Sequence, residues 1–253
     1  MKRTKFYING SRHPLLPIAL HHLLVMGFEC VSEVEEADFV LADVHSPPVG
    51  KPTVVLSTDS VYSDRDQTTK VRPKGRMKEE DPILIPSVLD QRCGEVIACV
   101  SVEHAYCMTE DSTLILRCFE TYGPRIKTGF IASLFKGDSL PLYRPGYQVR
   151  TFLYEDDFLF MFERMVTRFL KGQIVGIFNV GSEEEVSLKR LYETFQQLDT
   201  TKPIVEARAP RAYRWWVVPD LTRVQALTQW TSSKTIRAGL WDLQSQGFRD
   251  DHE

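Results

Sequence analysis

Residues 4–26, TKFYINGSRHPLLPIALHHLLVM, decide the fold of this chain. The segment TKFYIN (4–9) is short and rich in aromatic and apolar residues, which predicts a strand. The segment PIALHHLLVM (17–26) predicts a helix, with Pro17 at its first position, where a missing N–H is tolerated. Gly10 lies in the loop between them. The stretch therefore predicts a strand, a tight turn and a helix in succession.

The rest of the chain continues this alternation. Short apolar runs between turn signals predict buried parallel strands, and longer apolar or amphipathic stretches predict helices. The predicted strands are 37–44, 53–57, 113–118 and 176–180; the predicted helices are 89–101, 157–170 and one capped by Ser187. Residues 126–149, rich in Gly, Pro and Tyr, are predicted to leave the sheet. The alternation predicts an α/β fold with a parallel sheet covered on both faces.

Composition limits the class of protein. The chain has 253 residues, of which 43% are hydrophobic, so one large domain or two unequal ones can form a core. The net charge of −3 gives no indication of a nucleic-acid or membrane partner. We expect no signal peptide, no membrane span and a cytoplasmic location. The five cysteines form no CxxC pair and no His/Cys cluster has ligand spacing, so we expect reduced, mostly buried thiols and no metal site.

Six motifs occur in an order and spacing that resemble one family. They are Gly10, STDSVY (57–62), Gly94-Glu95, Arg117 with YGPR (122–125), QVRTFLYEDD (148–157) and NVG (179–181). The segment PDLTR (219–223) is similar to the closing segment of the same proteins. Together they resemble the extended short-chain dehydrogenase/reductases, the NAD-dependent epimerase/dehydratase family that acts on nucleotide sugars.

The resemblance implies a shortened Rossmann-type doubly wound parallel sheet with a small α/β C-terminal substrate domain. The first domain would comprise 1–125, with 150–182 returning to the sheet, and the second 126–149 and 183–253. NAD or NADP would lie on the first domain and a nucleotide sugar between the two. A homodimer through two helices is also implied. Phe158, Met161, Phe162 and Met165 are apolar enough for an interface, although core packing is commoner for such a stripe.

The loop expected to hold the cofactor departs from the family pattern. The three glycine positions that let a backbone approach a diphosphate are Gly10, His13 and Leu16. A side chain at His13 would displace the diphosphate, and Leu16 would crowd the helix. Pro14 and Pro17 remove two N–H donors. The sequence therefore predicts that dinucleotide binding is weak or lost.

Two alternatives would retain a dinucleotide. Arg12 and His13 could replace the backbone donors with cationic groups. Glu33, Glu35 or Glu36 could replace the acid that binds the ribose, but residues 27–37 leave little room for a complete β-α-β unit, and a solvated turn is favoured for these acids.

The catalytic residues of the family are also changed. The positions of its Tyr-x-x-x-Lys pair are occupied by Ser87 and Gln91, which cannot support the proton transfer that accompanies hydride transfer. Thr58 matches the family's Ser/Thr, and Asp59 matches the acid of the dehydratases, whose following Glu is here Ser60. Alternatively, Thr58 and Asp59 only cap a turn after a strand.

The substrate half keeps more of the pattern. Arg150 matches the arginine that binds the sugar nucleotide's diphosphate, and Arg211 matches a second one. Tyr122 and Arg125 hold family positions, with binding or structural roles. Glu120 replaces an asparagine and would repel phosphate unless an arginine pairs with it. Arg150 is therefore predicted either to bind phosphate or to form an internal salt bridge.

Three functional hypotheses follow. The first is a degenerate family member, a pseudoenzyme without hydride chemistry, that acts as a nucleotide-sugar-binding or partner subunit. The second is an active nucleotide-sugar epimerase, dehydratase or reductase with a rebuilt site at Thr58, Asp59, Tyr62 or Tyr122. The third is an interaction protein that uses the segment 65–78, which has six basic residues and one acidic residue and is otherwise a solvated loop.

Overall fold

The computed structural model describes residues 3–62, 75–81, 93–109, 112–143, 146–198, 202–207, 214–246 and 248. Ser87, Gln91, Arg211 and most of the basic segment lie outside the described residues. Within the described residues no helix has the length and apolar character needed to cross a membrane.

The strands and helices follow the predicted alternation. The strands are β1 (Lys5–Asn9), β2 (Glu29–Cys30), β3 (Phe39–Asp43), β4 (Thr53–Thr58), β5 (Thr113–Cys118), β6 (Thr121–Tyr122), β7 (Leu140–Tyr143), β8 (Val149–Arg150), β9 (Leu153–Tyr154), β10 (Gly176–Val180), β11 (Val186–Ser187), β12 (Ile204–Ala207) and β13 (Trp216–Val217). The helices are α1 (Leu16–Val25), α2 (Cys93–Cys107), α3 (Gly129–Lys136), α4 (Glu155–Leu170), α5 (Leu188–Leu198), α6 (Thr222–Thr228) and α7 (Ile236–Ser245). Turns of 3₁₀ helix cover Val34–Glu36 and Asp59–Val61.

The main sheet is parallel, with the strand order β10-β5-β4-β3-β1-β2. Because β1 lies between β2 and β3, the chain changes its direction of winding at β1. Such a switch point opens a crevice at the carboxyl ends of the two strands, where α/β proteins bind ligands. The sheet confirms the prediction of a Rossmann-type doubly wound fold. The division into two domains remains a prediction.

The segment between β1 and β3 is short, as expected. Helix α1 packs Leu16, Ala19 and Leu23 into the core, and Gly27, at φ +87°, turns the chain into β2. One 3₁₀ turn then replaces the helix that would usually precede the next strand. Glu33, Glu35 and Glu36 are exposed here, in keeping with a solvated turn.

The connection between β3 and β4 is also short. It spans residues 44–52 and contains no helix, whereas neighbouring parallel strands usually need a crossover of a dozen residues or more. The carbonyl of Pro47 accepts hydrogen bonds from the Asn9 side chain at 2.7 Å and from the Tyr106 hydroxyl at 3.2 Å. These contacts hold the connection against β1 and α2.

Three clusters of buried apolar side chains form the core. On one face of the sheet, α1, α4 and α6 pack together, and Phe158, Met161, Phe162 and Met165 are all fully buried there. Core packing therefore explains that stripe, rather than a dimer interface. A second cluster lies under α2 on the opposite face. The third joins α3, α5 and α7.

Some predictions differ from the structure. Helix α2 continues to Cys107, six residues past the predicted end, and the segment 126–149 contains α3 and β7. Strands β5 and β10 have the predicted bounds. Ser187 caps α5 as predicted, by accepting from the backbone N–H of Arg190. Of the cysteines Cys30, Cys99, Cys107 and Cys118, only Cys99 and Cys118 are buried, so the expectation of mostly buried thiols holds for two of these four.

A buried ion pair joins α2 to β5. The guanidinium of Arg117 and the carboxylate of Glu103 are almost fully buried and lie 2.8 Å apart. The hydroxyl of Ser57 also donates to Glu103, and the carbonyl of Glu79 accepts from Arg117. The Arg117 guanidinium stacks over the ring of Tyr62 at 4.7 Å. Because a buried charge without its partner is very costly, these contacts fix the distance between α2 and the sheet.

The substitution Glu103→Gln leaves Arg117 buried without its counter-charge. We expect it to lower the free energy of unfolding by about 3–5 kcal/mol in urea titrations. The control is Glu163→Gln, which removes the half-exposed pair with His22 and should cost less than about 1 kcal/mol. Equal losses in the two variants would contradict a structural role for the buried pair.

Candidate active site

A cavity of about 290 Å³ opens at the carboxyl ends of the central strands. Its volume is at the small end of the range for ligand pockets. The loop from β1 to α1, the turn after β4 and the segment after β5 form its walls. The lining residues are Arg12, His13, Pro14, Leu15, Val44, His45, Thr58, Asp59, Ser60, Cys99, Cys118, Phe119, Glu120, Thr121, Ile126, Thr128 and Gly129.

Gly10 and Asp43 meet at the switch point of the sheet. Asn9 at the end of β1 pairs with Ala42 in β3, so the next residues of both strands face each other. Gly10 has φ +138°, and a Cβ there would fall 2.5 Å from Cγ of Asp43. Glycine is therefore required both by the backbone conformation and by the Asp43 side chain.

The carboxylate of Asp43 is surrounded by backbone N–H groups. Oδ2 accepts from the N–H groups of Ser11, Arg12 and His13 at 3.0, 2.8 and 3.3 Å. Successive N–H groups that converge in this way form an anion-binding concavity, or nest. In this protein the anion in the nest is the side chain of Asp43.

The second oxygen of Asp43 is also bound. Oδ1 accepts from the backbone N–H of His45 and the hydroxyl of Ser46, both at 3.0 Å. Burial raises the pKa of Asp43, but hydrogen bonds from Arg12, His45, Ser46 and His13 outweigh it and hold the pKa below its ordinary value. Asp43 is therefore ionised at neutral pH.

His13 is a neutral group in this arrangement. Burial lowers its pKa to about 4, although the Ser57 carbonyl and Asp43 oppose the shift. Its Nδ1 accepts from the N–H of Leu15 at 3.2 Å, which leaves the proton on Nε2 to donate to the carbonyl of Ser57 at 3.2 Å. In this hydrogen-bonding arrangement the His13 ring is not a cationic donor, and its part in cofactor binding remains a prediction. The side chain of Arg12 remains exposed at the rim.

The start of α1 has few donors left for a ligand. The N–H of Leu15 is bound by the His13 ring, and the N–H of Leu16 donates to the His13 carbonyl at 3.0 Å. Pro17 has no N–H. Of the groups that usually attract anions at a helix N-terminus, the N–H groups of Leu15 and Leu16 are thus engaged and that of Pro17 is missing.

Thr58 and Asp59 lie on the opposite wall. The hydroxyl of Thr58 accepts from the N–H of Ser60 at 3.2 Å and caps the 3₁₀ turn after β4. The Asp59 carboxylate forms an ion pair with Arg214, whose guanidinium also donates to the Asp59 carbonyl at 2.9 Å. The predicted capping role of Thr58 is present, and both side chains also line the cavity.

Glu120 is a titratable group on the cavity wall. Its carboxylate accepts from the N–H of Phe130 in the first turn of α3 at 2.5 Å. Burial, assisted by the charge of Asp59, raises the pKa of Glu120 to about 7, while the Phe130 N–H, Arg150 and Arg214 oppose the shift. A carboxyl group with this pKa can both donate and accept a proton at neutral pH.

Arg150 is connected to this wall through Arg214. Arg150 lies on β8, between β11 and β13, and its guanidinium donates to the carbonyls of Val149, at 2.9 Å, and of Arg214. Arg214 in turn binds Asp59. A chain of contacts therefore runs from the Arg150 guanidinium through Arg214 to Asp59 on the cavity wall.

Tyr122 and Arg125 have packing contacts. Tyr122 is buried, its ring meets the Tyr154 ring edge-on at 5.4 Å, and a Cβ on Gly239 would fall 2.0 Å from its hydroxyl. Burial raises the pKa of Tyr122. Arg125 pairs with Glu155 at 2.8 Å. These contacts hold α4 and α7 in place.

The model of the NAD dependent epimerase/dehydratase family matches residues 49–181, which is more than half of the chain. The chain belongs to this family. The match covers the capped turn after β4, the segment that carries Glu120, and Arg150. The match begins at residue 49, after both the β1–α1 loop and Asp43. The residues of Gly10–Leu16 that differ from the family's glycine pattern therefore lie outside the matched part.

Curated relatives and solved structures agree with this assignment. The family member is 27% identical over 215 residues to UDP-glucuronic acid decarboxylase 5 of Arabidopsis thaliana, covering 79% of this chain and 59% of the relative. It is 29% identical over 146 residues to dTDP-glucose 4,6-dehydratase of Streptomyces griseus, covering 54% of this chain and 40% of the relative. The matched part thus spans 59% of the first relative and 40% of the second, about half the length of such relatives. UDP-glucuronic acid 4-epimerase of Bacillus cereus, solved with UDP-glucuronic acid and NAD, shares the fold, with 16% identity, a TM-score of 0.74 and coverage of 96% and 99% of the two chains.

The structure gathers many of the sequence-predicted site residues around one cavity. These are Arg12, His13, Thr58, Asp59 and Glu120, with Gly10 just behind the wall. Tyr122 and Arg125 pack elsewhere. Among the described residues no three His, Cys, Asp or Glu side chains form a group suited to a metal ion. The roles of these residues in binding or catalysis remain predictions for this family member.

Sequence reasoning missed Asp43 and Arg214. The signal for Asp43 was available, because it is an acid at the end of an otherwise apolar strand, FVLAD (39–43). A buried acid at such a position must find donors. Arg214 has no comparable signal, since its contact with Asp59 joins residues 155 positions apart.

The substitution Asp43→Asn should weaken the nest. We expect it to lower the free energy of unfolding at pH 7 by about 2 kcal/mol, the scale of hydrogen bonds to a charged group. The folded-state pKa of Asp43 lies below the unfolded value of 3.8, so this contribution is present above pH 3.8 and is lost as the pH falls through the folded pKa. Chemical unfolding at pH 7 and pH 3 measures the change.

The control for this comparison is Asp156→Asn, which alters an exposed carboxylate 3.6 Å from Arg125. It should cost less than about 1 kcal/mol at pH 7. A difference between wild type and Asp43→Asn that stays the same at both pH values would contradict the proposed charge of Asp43.

Proposed function

We propose that this family member binds a nucleotide sugar and has lost dinucleotide-dependent hydride transfer. It then acts as a binding or partner subunit. The observation that carries the proposal is the Asp43 carboxylate, which takes the N–H groups of residues 11–13 that would otherwise face a diphosphate.

The loop does not fit a dinucleotide diphosphate. A diphosphate oxygen would need the donors that Asp43 already uses, and it would lie next to an ionised carboxylate. Two like charges about 4 Å apart repel by about 4 kcal/mol near a protein surface. Neither the neutral His13 nor Pro14 and Pro17 supplies a replacement donor.

The substrate half supports retention of a nucleotide sugar. Arg150 donates to the Arg214 carbonyl, and the Arg214 guanidinium pairs with Asp59 on the cavity wall. Guanidinium groups match the geometry of diphosphate oxygens. The relatives are decarboxylases and dehydratases of nucleotide sugars, and structural neighbours were solved with UDP-glucuronic acid or UDP-glucose. We extend that ligand class to this chain.

Isothermal titration calorimetry tests both halves of the proposal. We expect binding of UDP-glucuronic acid, UDP-glucose or dTDP-glucose, and at least a tenfold loss of affinity on Arg150→Ala. The matched control is Arg237→Ala, which removes an exposed arginine on α7 and should leave affinity unchanged. Binding of NAD⁺ or NADH in the low micromolar range would refute the loss of the dinucleotide. No binding of any nucleotide sugar would refute the ligand.

A second candidate function is an active nucleotide-sugar epimerase, dehydratase or reductase with a rebuilt site. The observation that favours it is Glu120, which lines the same cavity as Thr58 and Asp59 and has a pKa of about 7. Such a group can serve as general acid or base at neutral pH, although Ser87 and Gln91 replace the family's catalytic pair.

Turnover assays decide between the two candidates. A panel of UDP-, dTDP- and GDP-sugars is incubated with the protein, with and without NAD⁺ or NADP⁺, and products are analysed by mass spectrometry. An active site requires that Thr58→Ala abolishes turnover, that Glu120→Gln removes its pH dependence near 7, and that Thr194→Ala, a surface change on α5, has no effect. Absence of turnover across the panel would exclude this candidate.

A further inference from the structure

The family implies a dinucleotide on the loop after β1, but the residues present place a carboxylate there. Asp43 belongs to β3, whereas the three N–H groups that bind it belong to the loop before α1. The contact therefore joins two elements that are neighbours in the sheet and about thirty residues apart in the chain.

The carboxylate and the loop fit each other closely. Five donors converge on its two oxygens, and Gly10 provides the space, since a Cβ would lie within 2.7 Å of all three carboxyl atoms. Asp43 is fully buried. Three consecutive N–H groups on a single oxygen is the arrangement with which nests bind phosphate oxygens.

Removal of this carboxylate would leave a site with defined chemistry. The N–H groups of residues 11–13 would point into the vacated volume, and the N–H of His45 and the hydroxyl of Ser46 would face it from the other side. Buried donors without acceptors are costly, so an anion that enters the volume gains their full interaction. Arg12, at the rim, adds a positive charge.

We propose that Asp43 is an intramolecular substitute for phosphate. A latent site for inorganic phosphate or diphosphate lies in the nest, and the Asp43 side chain closes it. The ligand class is a small oxyanion, because four backbone N–H groups and one hydroxyl converge on the volume that the Asp43 carboxylate fills. This inference concerns the loop alone and does not depend on the binding of a nucleotide sugar at Arg150.

The test uses the full chain and inorganic pyrophosphate as the probe. Thermal unfolding of wild type, Asp43→Ala and Asp43→Asn is followed with 0 to 10 mM pyrophosphate at constant ionic strength. We expect the Tm of Asp43→Ala to rise by about 5 °C at 10 mM and its affinity for pyrophosphate to exceed that of wild type at least tenfold. Asp43→Asn keeps the volume filled, so it should unfold at a lower Tm than wild type but show no larger response to pyrophosphate than wild type does. Asp156→Asn controls for the loss of a surface charge.

Several outcomes would overturn the proposal. A folded Asp43→Ala with no shift, or a shift of equal size in wild type, shows that Asp43 closes no anion site. If Asp43→Ala does not fold, Asp43→Ser is tested in the same way and both are refolded with and without pyrophosphate. If the variants regain the folded state only with pyrophosphate, the proposal is supported. If they do not regain it even with pyrophosphate, the proposal is refuted. Titration of wild type with nucleotide sugars and NAD⁺ reports separately on the proposed function.

Discussion

The loop between β1 and α1 has its shape because one buried carboxylate binds it. Asp43 ends β3 at the point where the sheet changes its winding direction, and five hydrogen bonds tie it to the loop and to the start of the next connection. The positions of Gly10, His13 and the first turn of α1 all follow from this contact. In other α/β proteins an anionic ligand can satisfy such a loop. Here the chain supplies the anion.

The stabilisation that an internal anion provides depends on solution conditions in a different way from the stabilisation by a bound anion. A ligand stabilises a fold by mass action, so its contribution varies with its concentration. The Asp43 side chain is always present, and its contribution changes only with protonation, well below neutral pH. The residues His13, Pro14 and Leu16, which differ from the family's glycine-rich loop, therefore need not destabilise the fold. With Asp43 in place, the loop that forms one wall of the cavity keeps its hydrogen bonds without a ligand.

Much of the fold could be predicted from the sequence, because the buried strands are short β-branched runs with clear boundaries. Strands β5 and β10 are examples. The family motifs also located Thr58, Asp59 and Glu120, since motif order follows strand order. Helix α3 was missed because its eight residues fall among turn-forming residues, and its N-terminus depends on the distant Glu120. The role of Asp43 could not be predicted because its hydrogen-bond donors lie in the loop after β1. Only the parallel pairing of β1 and β3 brings that loop close to Asp43. Contacts between residues that are distant in the chain leave no periodic pattern in the local sequence.

The short link between β3 and β4 has a consequence for the order of folding. Pairing these strands closes a loop of nine residues, 44–52, whereas pairing β5 with β10 closes 57 residues, 119–175. By chain entropy the shorter closure is favoured by about 1.6 kcal/mol. Parallel sheets usually fold slowly because their strands are far apart in the chain. We expect β3 and β4 to pair first and to form the nucleus on which β1 and β5 add, so the switch point between β3 and β1 forms only after the first pair of strands is in place.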